Sequence, residues 1–222
     1  MDGDSNAGKA HDDAEQVFID YGESGWRSSW EMLYTYGFVP GSKLEEWLAS
    51  GGRPICFPAV SPTDPLMPQK RAVLVALGVE EGGEEEIWVD VKAKLDQITA
   101  MGPILRLAHL SAETAPELAK ELASWSANPD SFWDAMQQQV NPEIERRVAT
   151  QVVGACDEAM ATLPSIEKLA TDAAPPRADA AAPSPSEMRA CLAARVLLGE
   201  RHAVEACRSH WQRVLDGIAE SS

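Results

Sequence analysis

The chain has 222 residues, 45% of them hydrophobic, with 19 basic against 35 acidic side chains and a formal charge of -16. That content is ample for a packed core, and the charge argues against a nucleic-acid partner, whose phosphates must be met by Lys and Arg. Acidity of this size reads first as a solubilising surface.

Residues 1–14 have the acidic, Gly-containing composition of a loop. In VFIDYG, Val17, Ile19 and Tyr21 alternate with Phe18 and Asp20, the period of two of a strand. Gly22 and Gly25 break it. Ser28 or Ser29 can then cap a short helix carrying Trp30, Leu33 and Tyr34, which Gly37 ends. A lone strand leaves its N–H and C=O groups unpaired, and few other strands are in view, so this one is expected to belong to a sheet largely missing from the chain. SKLEEWLAS follows as a helix capped by Ser42 and stopped by Gly51-Gly52. RPICFPAVSPTDPLMP holds five prolines and reads as an extended connector rather than an element, with a domain boundary in or beside it.

Beyond that point helices dominate. QKRAVLVALG predicts a helix ending at Gly78, and EIWVDV, Glu86 to Val91, a strand or extended loop. GPILRLAHL and APELAKELASW predict two helices, the second with Ser111 and Thr114 as cap candidates. Asn128 and Asn141 each stand before a proline, so each is expected to cap a helix with that proline in its first turn. The second of these carries Ile144, Val148, Val152, Cys156, Met160 and Leu163 at near-helical spacing. TDAAPPRADAAAPSPSE is an Ala/Pro linker. The last helix carries Met188, Leu192, Val196, Gly199, Ala203, Cys207, Trp211, Val214 and Ile218 as one apolar stripe. The fold class is mainly α: an irregular helical bundle over 66–222, with a linker at 171–186, preceded by a short β/α segment at 1–41 and a connector at 42–65.

The four cysteines, Cys56, Cys156, Cys191 and Cys207, form no C-x-x-C pair, and a chain of this length needs no disulfide staples. A reducing, intracellular compartment is expected. His202, Cys207 and His210 share one helical stretch, but no second cluster completes a tetrahedral site, so no metal is expected. No run approaches the ~20 apolar residues of a membrane span, and the polar start is no signal peptide.

Two stretches carry a resemblance. VFIDYG followed by RSSWEMLYTYGFVPG resembles the end of the SET domain in the RuBisCO large-subunit methyltransferase group of protein lysine methyltransferases. The matching residues are Tyr21-Gly22, Ser28-Ser29-Trp30-Glu31-Met32 and Tyr36-Gly37-Phe38-Val39. The final helix, with Leu198-Gly199-Glu200-Arg201 at its centre, resembles the helix near the end of that group's substrate-binding domain.

The resemblance implies a SET remnant over 1–41, a helical domain that binds a protein substrate, and S-adenosylmethionine as methyl donor. It gives Tyr21 the catalytic place, a phenol that holds the amine lone pair toward the sulfonium. Tyr36 and Phe38 would wall the cofactor and lysine channel, and Arg27 would sit near the substrate. On its own, Tyr21 reads as a packed strand aromatic. The chain departs from the family at Ser29-Trp30, which alters one wall, and it lacks the upstream Asn-His and G-x-G elements that contact the cofactor. The expectation is the C-terminal portion of a SET-type protein-lysine N-methyltransferase, inactive by itself because the cofactor-binding half is missing. The alternatives are a non-catalytic helical interaction module and a protein-histidine methyltransferase of the same group.

Overall fold

The computed structural model describes residues 29–39, 45, 48, 51–58, 63–78, 86–92, 101–174 and 183–220. In chain order these form α1 (Ser29–Tyr36), β1 (Gly52–Pro58), α2 (Met67–Ala76), β2 (Glu86–Lys92) and α3 (Gly102–His109). Then come α4 (Pro116–Ala127), α5 (Pro129–Met136), α6 (Pro142–Ala161), α7 (Ile166–Ala173) and α8 (Pro185–Glu220). The mainly helical class holds. The strand expected at Val17–Tyr21 and the cap at Ser42 lie outside the described residues, although Glu45 and Leu48 are helical as SKLEEWLAS suggested.

Proline punctuation sets most helix starts. Pro68, Pro103, Pro116, Pro129 and Pro142 each occupy a first-turn position, where the missing N–H would be unpaired anyway. Asn141 caps α6 as expected, its Oδ1 accepting the Ile144 N–H at 2.9 Å, while its Nδ2 donates to the Thr114 carbonyl at 2.8 Å. The remaining cap positions behave differently. Ala115, not Thr114, occupies the cap of α4, because the Ser111 and Thr114 hydroxyls bond each other at 2.8 Å instead. Asn128 stands at the cap of α5, but its side chain makes no capping bond.

Two segments correct the sequence reading. The proline-rich connector contains β1, which pairs antiparallel with β2 in the register Arg53↔Val91, Ile55↔Val89, Phe57↔Ile87. Among the described residues the ribbon has two strands and both are edges, so Pro54 and Pro58 need not donate to a ladder. Ile55 and Phe57 point into the core two residues apart, with Val91 buried on the partner strand. The linker placed at 171–186 is also shorter at both ends, since α7 runs to Ala173 and α8 begins at Pro185. Alanine favours helix, and Ser165, whose Oγ accepts the Lys168 N–H, starts the α7 turn that the spacing analysis missed.

The main core lies between α6 and α8 and is closed by the ribbon on one side and α3, α4 and α5 on the other. Ile144, Val148, Val152 and Cys156 of α6 are all buried, as are Ala203, Cys207 and Trp211 of α8. Met160 and Leu163 are only half-buried, and Met188, at the start of the α8 stripe, is exposed. At the centre sits a buried ion pair. Arg106 of α3 forks onto Glu145 of α6, Nε to Oε1 at 2.7 Å and Nη2 to Oε2 at 3.0 Å. Its Nη1 also donates to the Met136 carbonyl at 2.7 Å, closing the end of α5. A Cβ on Gly102 would come within 3.2 Å of that Nη1 and 3.6 Å of the Trp211 ring, so the three groups are packed together.

Three variants test this centre. Trp211→Ala empties a buried ring and is expected to cost about 3–5 kcal/mol. Arg106→Met leaves the Glu145 carboxylate buried and unpaired, at a cost of about 3–5 kcal/mol, part of which Arg106→Met/Glu145→Leu should recover. Urea unfolding followed by tryptophan fluorescence reads all three. An unchanged midpoint for Trp211→Ala would mean that the ring is a surface anchor rather than core.

Candidate functional site

Of the residues assigned by resemblance, Tyr36 and Phe38 fall at the N-terminal edge of the described structure. Tyr21 and Arg27 lie outside the described residues. Tyr36 is the last residue of α1, and Phe38 follows two positions on. Gly37 between them adopts φ 77°, the left-handed backbone that a glycine enters without penalty. Its N–H bonds the Leu33 carbonyl at 3.0 Å, closing the helix and turning the chain. Phe38 is left 36% exposed on the far side of the turn, with Tyr34 at 88% nearby in sequence.

What holds this turn is a second, smaller core. Val39 is buried with Leu169 and Ala173 of α7 and with Ala194, Val196 and Leu198 of α8, and Leu33 and Leu48 pack against them. The first half of α8 is therefore buried on two sides, which explains why Cys191, Ala194 and Leu198 are buried off the single stripe read from the sequence. The YGFV turn rides on the helical domain.

A second seam joins β1 to the middle of α8. A Cβ built on Gly51 would lie 2.0 Å from the Gly199 carbonyl oxygen, so the two backbones touch where no side chain fits. One residue on along α8, Glu200 accepts from Arg53 Nη1 at 2.9 Å, and Arg53 Nη2 donates to Thr162 Oγ1 at 3.2 Å. Arg201 then donates to the Leu163 and Pro164 carbonyls, at 3.2 and 3.0 Å, and to Glu205 at 2.9 Å. The Leu-Gly-Glu-Arg run thus does one job with each residue: Leu198 fills the second core, Gly199 admits the strand, and the charged pair ties β1 and the loop after α6 to α8. Arg53 was missed because it sat in what read as a connector.

Several other chemistry-bearing side chains are taken up by contacts within the fold. Lys70 is fully buried, its ammonium donating to Asp64 Oδ2 at 2.5 Å and to the Ala108 carbonyl at 2.9 Å; burial pulls its pKa down, opposed by Asp64. Cys156 and Cys207 meet between α6 and α8 in a thiol–thiol hydrogen bond that lowers the first thiol's pKa and, with burial, raises the second's. His210 packs edge-on against Trp211, centroids 5.5 Å apart, and burial followed by the Arg213 charge holds its pKa down. His202, Cys207 and His210 do not assemble into a metal cluster, nor does any other group of His, Cys, Asp or Glu among the described residues. No helix among those residues is long and apolar enough to cross a membrane.

An open cleft of about 670 Å3 lies between the last third of α8 and the loop that enters α6, with Glu145 at its inner wall.

The chain's relatives fit this geometry. A family model for the Rubisco LSMT substrate-binding domain matches residues 61–203. Among solved structures, the SET domain of LSMT bound to methyl-lysine and AdoHcy is similar with a TM-score of 0.66 at 18% identity, covering 92% of this chain and 41% of that one. Rubisco LSMT bound to AdoMet matches with a TM-score of 0.64 at 19% identity, covering 92% of this chain and 42% of that one. Rubisco LSMT bound to sinefungin and monomethyllysine gives 0.63 at 19%, with 93% and 43% covered. The chain spans about two-fifths of the length of these structures. No curated protein matches it.

The seam predicts opposite outcomes for two glycines. Gly51→Ala must push β1 off α8 and is expected to lose about 1–3 kcal/mol or more. Gly154→Ala, on the exposed face of α6 with nothing within 4 Å of the new methyl, should gain about 0.5–1 kcal/mol. Thermal melts of the two variants against the parent check both signs.

Proposed function

Because this chain belongs to the Rubisco LSMT substrate-binding family, we propose that it is the substrate-docking part of a protein-lysine N-methyltransferase that uses S-adenosylmethionine. The closing segment of the SET domain would be carried on its front. The observation that supports this most directly is the seating of the Gly37–Val39 turn on α7 and α8. A helical domain that serves only as a tether has no need to fix the turn bearing Phe38. A domain that must present a substrate to a methyl-transfer channel does.

Bound S-adenosylmethionine would supply an electrophilic methyl on its sulfonium. Phe38 fits one apolar wall of such a site, since its ring is 36% exposed on a turn held at both ends, by Gly37 and by buried Val39. Tyr36, one residue before Gly37, is assigned the neighbouring wall. Tyr21 is assigned the end of the channel, where its phenol oxygen would accept an N–H of the neutral acceptor amine and so aim the lone pair. Arg27 is assigned to the substrate side. The methylated ammonium would give its extra proton to water, and no covalent enzyme intermediate is required. The acceptor is read as a lysine amine because solved relatives carry lysine or methylated lysine.

Two experiments test this. S-adenosylmethionine titrated calorimetrically into this chain should give no saturable heat at tens of micromolar, because no Asn-His or G-x-G element is present in the sequence. Stoichiometric binding would overturn that expectation. In an enzyme carrying a complete SET domain around this chain, Tyr21→Phe should lower single-turnover methyl transfer by about 10²-fold or more, as expected for losing an oriented polar group used in the transition state. Stability should stay within about 1 kcal/mol, since one hydrogen bond is lost and the ring is kept. Parental rates in a folded Tyr21→Phe enzyme would make Tyr21 a structural aromatic.

A further inference from the structure

The cleft at the distal end of the bundle is built differently from the rest of the surface. Its floor is apolar, formed by Val140 of the loop entering α6, by Pro142 in the first turn of α6 and by Val214 and Ile218 of α8. Lining residues His210, Arg213, Val214, Gly217 and Ile218 follow one another at steps of three, one, three and one along α8. The eight helical steps from His210 to Ile218, at about 1.5 Å each, make the trough about 12 Å long, room for an extended stretch of about three or four residues at about 3.3 Å apiece.

Its polar groups divide into committed and uncommitted ones. Glu145 is consumed by the Arg106 fork and by the Val140 N–H, which donates to its Oε1 at 3.0 Å. Asn141 spends its carbonyl oxygen on the α6 cap and its amide on Thr114. His210 has its pKa held down by burial and by the neighbouring Arg213 charge. Arg213 is different. It is exposed and lines the cleft, and among the described residues its guanidinium bonds only the Ser209 carbonyl of its own helix, from Nε at 3.2 Å, and has no acidic partner. Among the lining residues it is the one charge not neutralised by a neighbour, and it is positive on a chain of net charge -16.

We propose that this cleft is a docking site for an extended segment of the partner protein in which apolar side chains alternate with carboxylates. Apolar side chains enter the Val140–Pro142–Val214–Ile218 floor, and a carboxylate pairs with Arg213, whose fork accepts it in a bidentate geometry. The exposed Gln139 amide stands at the same rim for a backbone carbonyl. The proposal rests on the substrate-docking reading and adds to it which surface is used and which peptide chemistry it selects. An open trough along a helix suits a peptide better than a small molecule, which is usually enclosed on most of its surface.

The test uses the full chain, with labelled methyls and a short capped peptide alternating leucine and glutamate, against its leucine–lysine counterpart. The expected result is saturable shifts of the Val214 and Ile218 methyls with the acidic peptide only, weakening as salt rises. Arg213→Glu, which removes no core contact, should weaken the acidic peptide by about fivefold or more and admit the basic one. Ile218→Ser should weaken acidic-peptide binding without changing that charge preference. Equal binding of both peptides, shifts confined to other methyls, or glutarate binding as well as the peptide would each overturn the cleft assignment. Those outcomes leave the methyltransferase reading standing, because that reading is decided by the Tyr21→Phe transfer rate and not by this surface.

Discussion

One guanidinium organises the distal half of the molecule. Arg106 donates to both oxygens of Glu145, to the Met136 carbonyl and, at 3.3 Å, to the Gln137 carbonyl. Three backbone segments that share no hydrogen-bond ladder are thereby fixed to one another: the middle of α3, the end of α5 and the first turn of α6. Removing two charges from water costs several kcal/mol for each ion, so the pair adds little to net stability even with this geometry. Its effect is to select one arrangement. The carbonyls at the end of α5 need donors, the Val140 N–H needs an acceptor, and Arg106 with Glu145 meets both needs inside the core. The loop at 137–141 inherits its path from this pair, and so does the cleft that the loop borders.

The proximal half is organised by shape rather than charge. Gly51 lies against the Gly199 backbone, a contact that any Cβ on Gly51 would prevent, and the Arg53–Glu200 pair at 2.9 Å locks the approach once it is made. With side chains 27% and 12% exposed, that pair is better shielded than the helix-surface pairs of Glu143 with Arg146 and Arg147. Pairs of the second kind contribute a few tenths of a kcal/mol at most. The shielded pair also joins parts of the chain far apart in sequence, so it constrains the fold in a way that pairs within one helix turn do not.

How far the sequence disclosed this depends on the range of the interaction. Local signals carried well: Pro142 after Asn141 opened α6, Gly37 and Gly78 ended their helices with φ 77° and 69°, and the stripe from Ala203 to Trp211 is buried. The Tyr-Gly-Phe-Val and Leu-Gly-Glu-Arg runs located the family, and the structure supplies a physical reason for each residue of the second. The β1 strand was hidden because proline reads as a strand breaker unless both edges of the ribbon are known to be open. Arg106 was hidden for a different reason. An arginine in the last turn of a predicted helix is favoured there by the helix dipole alone, and nothing local distinguishes that role from a partner 39 residues away. The channel residues depend on groups far from them in the chain, so the catalytic assignment of Tyr21 rests on resemblance.

The two halves meet in α8, and this has a consequence for coupling. Its first half is buried on two sides and carries the turn with Phe38; its last third forms one wall of the cleft. Between them Gly199, Glu200 and Arg201 fasten the helix to β1 and to the loop after α6, and Cys207 and Trp211 fasten it to the main core. A helix clamped at its centre cannot slide without breaking the Gly51 contact, and it cannot rotate without pulling Trp211 from beside Gly102 and Arg106. Sliding and rotation are the small movements by which packed helices normally transmit a signal. A segment docked in the cleft would therefore be held at a fixed displacement from the Phe38 turn. On the proposed reading, the helical domain would then serve as a ruler, setting where along a docked partner the reacting side chain lies, rather than as a lever that opens the site.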